Sequence, residues 1–101
     1  MITRGTTPTI EFTFKNISPK DMKVAYLTID QNGRTKIEKN IDDAIVGENS
    51  IDWNLTQEET LKIKENIKCD IQMRYRLNSG LADASPAYTV DTYRILKDGV
   101  I

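Results

Sequence analysis

The stretch Ile51-Asp52-Trp53-Asn54-Leu55-Thr56-Gln57-Glu58-Glu59-Thr60-Leu61 decides the fold. Ile51, Trp53 and Leu55 alternate with Asp52 and Asn54, so one face of an extended segment is apolar and the other wet. The period of two stops at Thr56. Thr56 and Glu59 stand at capping-box spacing: the threonine oxygen can accept from the N–H of Glu59 while the glutamate reaches back to the N–H of Thr56. The stretch therefore reads as a half-buried strand, a sharp stop and one short helix. That helix is expected over residues 57–64, with Leu61 as its anchor, and another strand follows. Nothing in the stretch is chemically reactive.

The same alternation extends in both directions. Upstream, Ile10, Phe12 and Phe14 share one face of a strand from Thr9 to Phe14, preceded by the restricted Thr7-Pro8 pair. Lys23 to Ile29 is a second strand with Ala25, Leu27 and Ile29 on its apolar face. Asp30-Gln31-Asn32-Gly33 is the clearest turn in the chain, because Asn-Gly readily takes the positive φ angles of a tight hairpin. Arg34 to Asn40 returns as a polar strand whose charges suit an edge, and Ile41 to Val46 is expected to be a fourth strand. Downstream, Ile67 to Leu77 is the longest strand, Leu81 to Pro86 a loop of small residues, and Ala87 to Leu96 the last strand. About seven strands at this spacing indicate an all-β fold, an antiparallel β-sandwich with one short helix. Phe12, Phe14, Leu27, Ile51, Trp53, Leu55, Leu61, Ile71, Met73 and Val90 are expected to supply most of its core.

The chain of 101 residues reads as a single domain, residues 1–101, with 39% apolar residues. No apolar run approaches the ~18 residues of a membrane helix. The start, Met1-Ile2-Thr3-Arg4-Gly5, lacks the basic and apolar regions of a signal peptide, so the protein is expected to stay in the compartment where it is made. Fourteen basic and fifteen acidic residues give a net charge of -1, with Lys and Arg scattered. Such a balance argues against nucleic acid or an anionic membrane as partner.

The residues offer little to catalysis. There is no histidine, the commonest general base and metal ligand. The lone Cys69 cannot form an intrachain disulfide or a thiolate zinc site, and it lies on the apolar face of its strand. Asp42-Asp43 lacks the spaced oxygen ligands of a calcium loop, and Glu58-Glu59 suits a helix N-terminus. Gly5, Gly33, Gly47, Gly80 and Gly99 are isolated, and Ser50, Ser79 and Ser85 have no base to activate them. The expectation is a protein that is not an enzyme, with no catalytic residue, no cofactor and no metal. Trp53 reads as core. Tyr75, Tyr88 and Tyr93 read as core or rim, or alternatively as the platform of a small-ligand or carbohydrate-binding module.

Four phrases in order carry a resemblance: Arg4-Gly5-Thr6-Thr7 leading into the strand Thr9 to Phe14, the Gln31-Asn32-Gly33 hairpin, Leu55-Thr56-Gln57-Glu58-Glu59-Thr60-Leu61 before a long strand, and the closing Asp98-Gly99 turn. In this order the chain resembles small phage structural domains, in particular the N-terminal immunoglobulin-like domain of siphophage upper baseplate and tail-fibre proteins. The resemblance implies an immunoglobulin-like β-sandwich that serves as a non-enzymatic building block of a phage particle. It implies protein–protein contacts with other phage structural proteins, a homo-oligomer or ring in the particle, and a virion location after synthesis in the bacterial cytoplasm. Those proteins continue into a helical or fibre segment, whereas this sequence stops at Ile101, which suggests a stand-alone tail, neck or head-decoration protein. A phage-encoded inhibitor of a host defence system, such as an anti-CRISPR protein, is the other functional class considered; many of those are strongly acidic, unlike this chain. Residues Met1 to Thr7 show no strong core pattern and are expected to lie along a neighbouring chain or to be disordered, and Val100-Ile101 to be exposed.

Overall fold

In the computed structural model, which describes residues 1–101, ten strands and one α-helix succeed one another. They are β1 (Ile2–Thr3), β2 (Thr9–Thr13), β3 (Met22–Gln31), β4 (Arg34–Asn40), β5 (Ala44–Val46), β6 (Ser50–Asn54), α1 (Gln57–Leu61), β7 (Cys69–Leu77), β8 (Ala82–Ala84), β9 (Tyr88–Val90) and β10 (Thr92–Tyr93). Strands take 49% of the residues and helices 11%, so the chain is all-β. One sheet has the order β2-β6-β5. The other runs β4-β3-β7, with β8 and β9 both paired to the far edge of β7. Every pairing within these two sheets is antiparallel, while β1 and β10 form a separate parallel pair. Taken in chain order, β2-β6-β5 and β4-β3-β7-β9 correspond to the B-E-D and C′-C-F-G sheets of an immunoglobulin-like sandwich.

Alternation builds the core. Leu27 and Ile29 from β3, Ile51 and Trp53 from β6, and Ile71 and Met73 from β7 belong to one buried cluster that joins the two sheets. Trp53 is wholly buried and meets Phe12 edge-on at 6.2 Å between ring centroids. Its indole Nε1–H donates to the carbonyl of Asn40 at 2.8 Å, so the one polar atom of the ring is satisfied. The β3–β4 hairpin turns at Asn32 (φ 53°) and Gly33 (φ 75°), the paired positive angles that the Asn-Gly dipeptide predicts. Before α1, the Thr56 hydroxyl accepts from the N–H of Glu59, and the Glu59 carboxylate accepts from the N–H of Thr56. That carboxylate also pairs with Lys39 at 3.1 Å.

Several elements differ from the sequence reading. The helix ends at Leu61, shorter than residues 57–64, and Leu61 is only half-buried. Thr60 and Ile63 are the residues buried there, because a single turn followed by a bend carries Ile63 inward. Phe14 and Val90 pack against the core at its margin. Residues 41–43 form a 3-10 turn instead of a strand start, since the Asn40 side chain accepts from the N–H of Asp42 and draws the chain into a cap. The stretch Leu81 to Pro86 contributes β8, and the last strand is divided at Asp91 into β9 and β10. The N-terminal residues do not extend to a neighbour: Ile2 is buried in the core, and β1 pairs with β10. At the other end, Val100 and Ile101 are exposed.

One buried amide ties these parts together. Gln31, at the end of β3, is 2% exposed. Its Nε2 donates to the carbonyls of Lys64 (2.7 Å) and Ile67 (2.9 Å), and its Oε1 accepts from the N–H of Lys64 (2.8 Å). The Thr92 hydroxyl of β10 reaches the same two carbonyls, at 3.1 and 2.6 Å. Beside it, the Thr60 hydroxyl donates to the carbonyl of Thr6 at 2.7 Å.

Trp53→Ala is expected to lower stability by ~3–5 kcal/mol, read as a shift in denaturant midpoint. Gln31→Leu keeps the volume but leaves the Lys64 N–H without its partner and two carbonyls short of donors. It is expected to cost about 1–3 kcal/mol by the same measurement. An unmoved midpoint in either variant would contradict the packing described.

Candidate functional site

Strand β2 pairs with β6 alone, so one of its edges is free. The alternation of an antiparallel ladder decides which atoms lie on that edge. The Pro8 carbonyl accepts from the N–H of Leu55, and the N–H of Phe14 donates to the Asn49 carbonyl. Even-numbered residues of this segment therefore bond to β6, and Thr9, Glu11 and Thr13 turn their N–H and C=O groups outward. In an immunoglobulin-like sandwich a first strand can occupy that side. Here the N-terminal strand β1 is paired to β10 instead, and the position beside β2 is open.

An apolar groove of about 450 Å³ lies along this edge. Its walls are β2 on one side and the β8–β9 segment on the other, with Ile71 and Tyr75 of β7 between them. Phe14 meets Tyr75 edge-on at 5.9 Å, and Phe12 lies 6.5 Å from Tyr88. Tyr88 pairs with Ile71 in the β7–β9 ladder yet is 52% exposed, because nothing covers the groove above it. The opposite wall is held firmly. Ser85 Oγ accepts from the N–H of Met73, and the N–H of Ser85 donates to the Met73 carbonyl.

The outer face of β2 carries charge. Glu11 stands directly across from Asp52 of β6, an arrangement that is unfavourable for two like charges. The three ion pairs of the molecule, Arg4–Asp98, Lys39–Glu59 and Lys68–Asp91, involve neither. Asp52 Oδ1 is shut off from solvent without a hydrogen-bond partner.

The other sequence candidates fall as follows. Tyr75 and Tyr88 come together in the groove, and Tyr93 stands apart in β10, so the three do not make one platform. Asp42 and Asp43 sit in the turn after β4, and no group of three metal-ligating side chains assembles anywhere in the structure. No helix is long and apolar enough to cross a membrane. Glu59 is held below the usual carboxylate range: burial opposes its charge, but the Thr56 N–H and the Lys39 ammonium outweigh that effect. Cys69 is completely buried, and burial, helped by the neighbouring Asp70, pushes its thiol up to about 11. A thiol held so far into the alkaline range is a poor nucleophile near neutrality. Glu11 and Thr13 of this edge carry no signal in the sequence, and Ser85 stands out there only as a serine with no base to activate it. Nothing in the sequence of the strand signals which of its edges stays free.

The Cys69 shift has a pH consequence. An unfolded thiol ionises near 9.0 and the native one near 11. Between these values the unfolded state binds fewer protons than the native state, so stability falls as pH rises. The loss is expected to reach about 2–3 kcal/mol across the window, with Tyr75, also raised by burial, adding in the same direction. Cys69→Ala should flatten this alkaline limb in denaturation series recorded on either side of the window.

Compared with known proteins, the chain matches no family model, no curated protein and no solved structure.

Proposed function

We propose that this protein is a non-enzymatic structural component of a phage particle, in the tail, baseplate, neck or head surface, and that it acts through contacts with other particle proteins. The observation that supports this reading is the strand order, β2-β6-β5 against β4-β3-β7-β9. It is the immunoglobulin-like arrangement that the ordered sequence phrases imply for a particle building block. A sandwich of this kind hosts many functions, so the fold alone does not select one; the phrases and the fold together favour assembly. The open edge of β2 is consistent with a protein whose work is to be joined to others.

The test is the composition of assembled particles. Particles purified from a producing culture by density gradient are expected to contain this chain at a fixed ratio to the major tail or head protein, measured by quantitative mass spectrometry. Its presence in the lysate with none in the particle band would overturn the assignment.

A further inference from the structure

We propose that the free edge of β2 accepts an extended segment of a partner protein as an added strand, apolar at alternate residues with a lysine or arginine set between them beside Glu11. This inference rests on the assembly role above and specifies its mode and the chemistry of the partner.

Three observations converge. The first is the backbone. Thr9, Glu11 and Thr13 present outward N–H and C=O groups along one unpaired edge, a template for main-chain hydrogen bonds. The second is shape. A strand laid there would point every second side chain into the apolar groove, against Phe14, Tyr75 and the half-exposed ring of Tyr88. Its other side chains would emerge on the outer face, level with Glu11. The third is charge. Glu11 and Asp52 face each other with no cation in an ion pair to either. A basic side chain on the added strand relieves that repulsion, whereas an acidic one adds to it.

These features also discriminate among occupants. Pairing β2 with its own copy about a twofold axis centred on the strand would place Glu11 opposite Glu11, which is unfavourable. The long edge strand of the opposite sheet, β4, could not enter the groove of a second copy, because its inward residue Ile37 is buried in its own core. The groove therefore calls for a segment with no side chains already committed to a sheet.

The probe is a nine-residue peptide of alternating valine and lysine, blocked at both ends. It would be titrated into the isotope-labelled full chain, with amide hydrogen exchange read by NMR. Binding is expected to protect the amides of Glu11 and Thr13 and to shift Tyr88. A peptide with glutamate in place of lysine should bind at least roughly tenfold more weakly. Thr13→Pro removes one outward N–H without touching the bonds to β6, so it should keep the cooperative melt and weaken binding roughly tenfold. Glu11→Lys, on the exposed outer face, is a second variant and should reverse the preference between the two peptides.

Four results would overturn the proposal: no protection of the β2 amides at millimolar peptide, equal binding of both peptides, shifts of Tyr88 alone (as for a small apolar ligand), or concentration-dependent self-association through the β2 edge. The assembly role is judged separately. Particles that incorporate Thr13→Pro as fully as the wild type would remove strand addition and leave the role standing. Peptide binding by a chain absent from particles would do the reverse.

Discussion

The carboxamide of Gln31 holds the molecule's plan in place. It is a buried polar group with its donor and acceptor both engaged, and it fixes the path of residues 64–67 against the end of β3. The carbonyls it orders are the ones that receive the Thr92 hydroxyl. That hydroxyl sets β10, and β10 in turn receives β1 through the pairing of Ile2 with Thr92. The N-terminal strand is thereby drawn to one end of the sandwich, and the flank of β2 is left uncovered. A single side-chain amide thus links the interior of the domain to the shape of one free edge.

Two of the edge strands, β4 and β2, are built differently. β4 carries Arg34 and Lys36, and long basic side chains of this kind discourage unplanned pairing. β2 has a single charged residue, Glu11, between two threonines. Its guard is therefore electrostatic and selective in sign. An acidic strand meets repulsion from Glu11 there and a basic one attraction, so the edge discriminates by charge.

Much of the fold was legible because its information is local. The alternation around Trp53, the capping box at Thr56 and the Asn32-Gly33 hairpin each specify conformation within a few residues, and each stands in the structure as read. What escaped was set by distance along the chain. Ile2 is one apolar residue among polar ones, and only its pairing with Thr92 makes it core. Ala82–Ala84 has little intrinsic strand preference and is extended because Arg74 to Arg76 offers it a ladder. The groove was illegible for the same reason: it exists because a strand is elsewhere, and no residue of β2 records where β1 has gone.

That long-range closure bears on how the domain comes to be folded. The β3–β4 hairpin joins neighbours in sequence, whereas β1 and β10 join the two ends of the chain. Closing so large a loop carries an entropic cost that only a formed sandwich can repay. The parallel pair is in this sense a latch between the two ends of the chain, favoured once the sandwich has formed. The latch buries Ile2 and holds the segment before Pro8 at β10, away from the flank of β2. An edge kept clear in this way depends on the two ends of the chain staying together.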